Sequence, residues 1–461
     1  MFDSSVYVRR REGLKKKLGK GILFFLGNTE ASFNYPSNTY HFRQDSNFLY
    51  FFGLDHPDLG AVIDLDSGED YIFGNDVDMD DIIWMGAQPL LKDRAATVGV
   101  INTAAYKELE NLLTKAKSQG RDIHILPPYR GETKMELERL TGVNSHEVSS
   151  LISQDFIKAV VDLRSVKDQF EIVEIEKAID TAYLMHTTAM KMAKPGVSEQ
   201  EIAGTIEGIA LANGGPVSFP VILSINGQIL HNHHHGNKLE MGRMMITDAG
   251  AETGMHYASD ITRTTPVGGK FDERQKSVYE IVLDAIVKSS EAVKPGTLNR
   301  DCHFLAAKTI ASGLKDLGLM KGNVDDAVAQ GAHALFFPHG LGHMMGLDVH
   351  DMEGLGENNV GYNDEIKRSD QFGLAFLRMG RKLEPGFVMT VEPGCYFIPA
   401  LIDQWKGEKK FTEFINYDKV ETFKDFGGIR IEDDLLVTED GNRLLGKPIP
   451  KTVKDIEDTC M

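Results

Sequence analysis

The chain has 461 residues, 42% of them apolar and 26% charged, and a formal net charge of -18. That length is too great for one ordinary core and predicts two domains of globular composition. So acidic a chain is repelled by phosphate backbones, which argues against general nucleic-acid binding.

The chain opens with a basic run over residues 8–20 that reads as a helix. Short apolar segments at 22–26, 48–52, 61–65 and 71–73 read as strands, punctuated by Gly, Asn and Asp. The segment 22–26 is the longest dense apolar stretch near the start and is too short to cross a bilayer. No charged run followed by a long apolar one begins the chain, which predicts no signal peptide. Pro127 and Pro128 mark a loop, and 145–153 is polar. This half reads as a mixed α/β domain over 1–160, leaving 161–461 as a second domain.

The second domain begins with a helical pattern. Over 168–194, Ile172, Ile175, Ile179, Ala182 and Met185 follow the 3.6-residue period until Pro195-Gly196 stops it. Ser198 and Glu201 carry a capping-box signature for a second helix, ending at Asn213-Gly214-Gly215-Pro216. Strand-like runs follow. The same order then returns: a helix over 272–293 with Val278, Ile281, Val282, Ala285 and Ile286, the stop Lys294-Pro295-Gly296 matching Lys194-Pro195-Gly196, a helix over 299–315, and strands. The repeat predicts an internal duplication whose facing halves enclose a cleft.

Chemistry-bearing residues fall at the end of each half. Asp248 and Asp260 flank a turn at Thr253-Gly254 and read as near-opposite carboxylates of one β-hairpin. Such a pair repels unless a cation lies between. The second half adds His343, Glu392 before Pro393-Gly394, and Glu432 in Gly428-Ile429-Arg430-Ile431-Glu432-Asp433-Asp434. Read as one strand, that last run points Arg430, Glu432 and Asp434 to one face and Ile429 and Ile431 to the other. His339 and His343 have the spacing of a helical zinc site, but Gly340 stands where its glutamate belongs, so this segment reads as a loop. Four carboxylates and one imidazole make an oxygen-rich set suited to Mn²⁺, Co²⁺ or Fe²⁺, with Zn²⁺ also accommodated. Two ions about 3.5–4 Å apart can share such a set. Cys302, Cys395 and Cys460 form neither a disulfide framework nor a CxxC spacing, which predicts a reducing, cytoplasmic setting.

In its motifs the chain resembles the aminopeptidase P and prolidase family of pita-bread metallopeptidases. The resemblance rests on Phe42-Arg43-Gln44-Asp45-Ser46-Asn47-Phe48-Leu49-Tyr50 and Trp84-Met85-Gly86 in the first domain, and on Leu163-Arg164-Ser165-Val166-Lys167 at the junction. In the second domain it rests on Ile229-Leu230-His231, Asp248-Ala249-Gly250, Ser259-Asp260-Ile261-Thr262-Arg263-Thr264, His339-Gly340-Leu341-Gly342-His343, Gly346-Leu347-Asp348-Val349-His350-Asp351, Val391-Glu392-Pro393-Gly394 and Gly428–Arg430 with the acids after it. It implies an α/β (α+β) chain: a non-catalytic N-terminal domain, then a pita-bread (creatinase/aminopeptidase-like) domain with pseudo-twofold duplication. It further implies hydrolysis of the bond before proline by a hydroxide shared between two divalent ions, with Mn²⁺ favoured. The ligands would be Asp248, Asp260, His343, Glu392 and Glu432. Glu392 would also take the proton of the attacking water. His231 and His350 would steady the substrate and the oxyanion, His339 would shape the proline pocket, and Arg430 would anchor the far side of the substrate and hold nearby carboxylates in place.

The resemblance implies a homodimer and a proline-containing peptide as substrate, with no nucleic-acid or membrane partner. Asn232 stands where an aromatic residue usually follows His231, and the Asp248 to Asp260 spacing is one residue longer than in aminopeptidase P. His233, His234 and His235 read as solvated or outer neighbours of the site, and His41, His56 and His333 as structural or exposed. Prolidase-like sequence from Pro338 onward, and an inserted segment over 403–426, lean toward dipeptides. A catalytically silent scaffold on the same fold would lack ligands, and methionine aminopeptidase would lack the large first domain.

Overall fold

The protein is described by a computed structural model covering residues 1–461. Residues 1–164 with 352–359 form one unit, and residues 165–351 with 360–461 form the other.

The first unit carries strands β1 (Ile22–Leu26), β2 (Ser32–Tyr35), β3 (Asn38–Thr39), β4 (Gly60–Asp64), β5 (Glu69–Phe73), β6 (Asn102–Ala104) and β7 (Ile123–His124). Five of them form a mixed sheet in the order β6-β5-β4-β1-β7, while β2 and β3 make a separate hairpin. Its helices are α1 (Ser4–Lys17), α2 (Ser46–Phe52), α3 (Met79–Met85), α4 (Leu91–Thr97), α5 (Lys107–Ser118), α6 (Gly131–Thr141) and α7 (Gln154–Ser165). Ile22, Phe24, Val62 and Phe73 of the sheet pack with Leu109 and Leu113 of α5. The segment 48–52, expected as a strand, is helical. Asp45 accepts from the amides of Asn47 and Phe48, and Gly53 closes the helix at φ +62°. A short run that is apolar on every side carries no period, so its caps decide its conformation.

In the second unit, helix α8 (Gln169–Met192) starts at Asp168, whose side chain and that of Glu171 cap each other's amides. Helix α9 (Glu199–Ala212) starts at Ser198, which accepts from the amide of Glu201. The return bond expected from Glu201 is absent. The acid that matters is the fully buried Glu199, which accepts from Ser224 Oγ, the Ile225 amide and Asn237. Strands β8 (Ile222–Ser224), β9 (Met244–Ala249) and β10 (Ile261–Pro266) follow as an antiparallel sheet. Met185, Ile202 and Ile206 of the helices pack on Leu223, Met245 and Ala249 of these strands.

The second half repeats this plan with helices α10 (Glu273–Ala292) and α11 (Asn299–Asp316) and strands β11 (Val388–Val391), β12 (Gly394–Tyr396), β13 (Gly428–Arg430), β14 (Asp433–Val437) and β15 (Asn442–Leu444). The duplication is visible bond by bond. The amides of Gly196 and Gly296 donate to Leu239 and Leu383, and the amides of Leu239 and Leu383 return to Val197 and Thr297. Glu199 and Asn299 donate to Asn237 and Arg381, and Val267 and Val437 donate to Arg243 and Phe387. Arg243 and Phe387 each precede their strand directly, so Asp248 and Glu392 stand at corresponding places in the two halves.

Two strand expectations change in register. Asp248 pairs with Thr262, while Asp260 lies one step beyond the last ladder pair, Ile261 with Ala249. The two-residue period still gives Asp260 the face of Thr262. The run 428–434 is two strands rather than one. Its partner breaks at Glu392–Pro393, where proline offers no amide, and the run breaks opposite at Ile431–Glu432. The freed amides of Ile431 and Glu432 donate instead to Pro393 and Thr262.

No helix is long and apolar enough to cross a membrane. The three cysteines are buried and unpaired.

Gly196 and Gly296 sit at φ +89° and +81°, and a Cβ on either would meet nothing within 4 Å. Left-handed strain alone then remains. Gly196→Ala and Gly296→Ala should each destabilise the unit by about 1–2 kcal/mol, nearly equally. Urea denaturation of the two variants checks this.

Candidate functional site

A cleft of about 650 Å³ opens in the second unit and gathers His231, Asp248, Asp260, His339, His343, His350, Glu392, Arg430 and Glu432 into its lining. These are all the residues singled out in the sequence. Each half contributes an acid from the end of its strand: Asp248 near the end of β9, and Glu392 one residue past β11. Asp260 arrives just before β10, and Glu432 in the break between β13 and β14. His343 comes from an irregular loop, as the two glycines around it predict.

His343 sits where the acids converge. Its Nδ1–H donates to the Met344 carbonyl at 3.1 Å, so Nε2 is the ring nitrogen turned to the acids. That nitrogen faces Asp260 Oδ2 at 3.4 Å and Glu392 Oε1 at 3.8 Å. Ligand atoms of Asp260, His343 and Glu432 all fall within 4.8 Å of one another. Lone pairs so placed repel unless protons or cations separate them. Asp248 Oδ1 is buried without a hydrogen-bond partner.

The acids carry the mark of that crowding. Burial, and then Asp248, push the Asp260 carboxyl well above the usual range. Burial, followed by Asp260 and Glu392, does the same to Glu432. Burial pushes Glu392 up to about 8 against the favourable field of Arg430. The donor set and its orientation therefore fit hard divalent ions. Asp434, which shares the face of Arg430 and Glu432 by period, turns away from the cleft. Its carboxylate accepts from the Asp260 amide and braces that residue.

Arg430 is 3% exposed, and each of its three guanidinium nitrogens makes a hydrogen bond. Its Nε donates to Thr262 Oγ1, one terminal nitrogen to Tyr396 Oη at 2.9 Å, and the other to Asp248 Oδ2. Thr262 Oγ1 donates onward to Glu432 Oε2 at 2.7 Å. Arg430 thus fixes the acids of both halves. Tyr396 Oη also meets His339 Nε2 at 2.9 Å, while His339 Nδ1 donates to the Gly340 carbonyl. Burial, and then the charge of Arg430, hold His339 neutral, with its pKa near 3. The ring of His350 meets that of His343 edge-on, centroids 4.4 Å apart. His231 and His233 are exposed at the cleft wall, and His235 bonds the Leu223 carbonyl.

The sequence predicts no chemical role for Tyr396, Thr262 or Arg378, which the structure places in or beside the cleft. A Cβ on Gly394 would fall 2.4 Å from Tyr396 Oη, so this glycine makes room for the phenol. A tyrosine two residues beyond Gly394 was the available signal, because the strand period gives both positions one face. Arg378 lines the cleft from a loop with no regular pattern. Phe219, Ile222, Leu230, Phe372, Phe376 and Ile398 form the apolar wall.

Residues 173–439 match the model of metallopeptidase family M24, and residues 7–125 match the aminopeptidase P N-terminal domain. The Xaa-Pro dipeptidase of Homo sapiens is 32% identical over 477 residues, spanning 99% of this chain and 93% of that protein. A probable Xaa-Pro aminopeptidase of Aspergillus clavatus is 33% identical, spanning 90% of this chain and 88% of that one. Among solved structures, an Escherichia coli aminopeptidase P variant in complex with substrate superposes with a TM-score of 0.81 at 29% identity, over 100% of this chain and 98% of that one. The zinc-substituted E. coli enzyme in complex with product also gives a TM-score of 0.81. With its cleft, its acids and both family models in chain order, the protein belongs to metallopeptidase family M24 and carries the aminopeptidase P type of N-terminal domain.

Proposed function

We propose that this protein removes the N-terminal residue preceding a proline from peptides, with two divalent metal ions held by Asp248, Asp260, His343, Glu392 and Glu432. The observation that carries the reading is the convergence of ligand atoms of Asp260, His343 and Glu432 within 4.8 Å of one another. When bound, the ions supply Lewis acidity toward the scissile carbonyl and acidify a water; Mn²⁺ suits the oxygen-rich set best.

The chain's own residues do the rest. Glu392, at the strand end, takes a proton from the attacking water. His350 and His231 donate where negative charge grows on the carbonyl oxygen. His339, held by Tyr396 and backed by Phe337 at a centroid distance of 4.9 Å, shapes the space for the proline ring. The amide before proline has no N–H, so no acceptor is required there.

Arg430 spends its donors inside the site, which supports a bracing role for it. Arg378, a second guanidinium in the cleft lining, is the group we assign to a substrate carboxylate. That supports a dipeptidase, as does the inserted segment, whose Trp405 packs on Phe372 at 5.9 Å. The size of the cleft favours a second reading, an aminopeptidase P acting on longer peptides. The buried, unpaired cysteines support a cytoplasmic setting. Ile83, Trp84 and Met85 of α3 are strongly exposed, Trp84 at 86%, which supports a homodimer.

Asp260→Ala and Glu432→Ala should each abolish hydrolysis of an Xaa-Pro dipeptide and lower bound manganese while the fold persists. Metal analysis beside circular dichroism reads both effects. Arg378→Ala should raise KM at least about tenfold for Xaa-Pro dipeptides and far less for Xaa-Pro-Xaa tripeptides. Equal effects on both would remove the carboxylate role.

The metal-free protein should lose stability as pH rises. Its buried acids hold protons in the fold that the unfolded chain releases near the ordinary carboxylate range. The folded state therefore binds more protons between that range and about 8, the value for Glu392, and stability falls across this window. Manganese displaces those protons, so its stabilising effect should grow from pH 5 to pH 8. Thermal melts with chelator and with manganese across that range test the sign.

A further inference from the structure

The chain passes between its two units after residue 164, after 351 and after 359. Inside the second unit, the residues next to the first two passages are joined. Lys167 Nζ lies 2.6 Å from Asp351 Oδ2, and both side chains are 1% exposed. Burying two charges is costly even when they are paired, so a pair this deep is poor evidence for stability alone and asks for another role.

The surroundings supply one. Gly346 lacks a Cβ where one would fall 2.8 Å from Asp351 Oδ2 and 2.9 Å from Lys167 Cε. The loop from His343 to Asp351 folds on itself: the Asp351 amide donates to the Met344 carbonyl, and the Gly346 amide to that of Asp348. Ala258, just before Asp260, donates to the Gly346 carbonyl. Directly after Asp351 the chain reverses through Met352 at φ +62°, a conformation a non-glycine residue rarely holds unless its neighbours are fixed. The Lys167 amide donates to the Gly386 carbonyl, just before the strand that ends at Glu392. His343 opens the loop and His350 lies beside the anchored acid, with their rings in edge contact.

We propose that Lys167 and Asp351 are positioning residues for catalysis: their buried ion pair locks the loop that presents His350 beside His343. The proposal rests on the peptidase reading for the role of His350.

The test compares Lys167→Met, Asp351→Asn and the double variant in the full, manganese-loaded chain. Each single variant breaks a buried ion pair and should lower the melting temperature. Each should also lose about tenfold to a hundredfold in kcat on an Xaa-Pro dipeptide, with KM and manganese content little changed. The double variant strands no charge and should regain melting temperature while keeping the kcat loss. Recovery of both together would make the pair structural only and overturn the proposal, as would wild-type kcat in the singles. Histidine NMR spectra of the zinc-loaded protein, with His350 assigned through His350→Gln, give a readout independent of turnover. The His350 ring signals should move in all three variants. Unmoved signals overturn the positioning role, whereas an inactive wild type with moving signals defeats the peptidase reading alone.

Discussion

Negative charge held at close range governs the second unit. Asp248, Asp260, Glu392 and Glu432 converge at the wall of the cleft, where the positive charges are the guanidiniums of Arg430 and Arg378. Two guanidiniums cannot neutralise four acids. The result is a centre that must take up protons or metal ions, and the upward displacement of three of the acids expresses that demand. His343 adds a nitrogen ligand atom among those oxygens, and imidazole with carboxylates suits divalent cations.

The duplication explains how one chain assembles such a centre. Each half ends a strand with an acid on its inner face, so facing two halves doubles the charge at their shared axis. Departures from symmetry carry the chemistry. Where Thr262 pairs with Asp248 in the first half, the second half breaks its strands around Pro393, and Glu432 reaches across to bond Thr262. Only the second half supplies the histidine loop and Arg430.

Much of this was legible before any coordinates. Helical periods and the repeated Lys-Pro-Gly stop predicted α8 to α11, because those helices each bury one stripe. The acids, the histidines and Arg430 of the cleft were legible because each sits in a motif with its own chemical reason. Other features were hidden by their physics. Helix α2 is buried on nearly every side, so its apolar run carried no period. The break at Ile431–Glu432 depends on a proline in another strand. Arg378 lies in a loop without pattern, and the Lys167–Asp351 pair joins residues far apart in the chain. Tertiary pairings of that kind leave no local trace in composition or periodicity.

Arg263 shows how a cleft so crowded with acids keeps its shape. Its guanidinium, 1% exposed, gathers the carbonyls of Thr262, Glu432, Ile449 and Pro450 together with the Asp433 carboxylate. Two of those carbonyls belong to opposite halves, and two to the tail of the chain. The rivet is made of backbone oxygens and one buried acid outside the cleft lining, so no side chain that titrates or exchanges in the cleft enters it. The seam between the halves is therefore fastened from behind, and ions can come and go at the front without the walls parting.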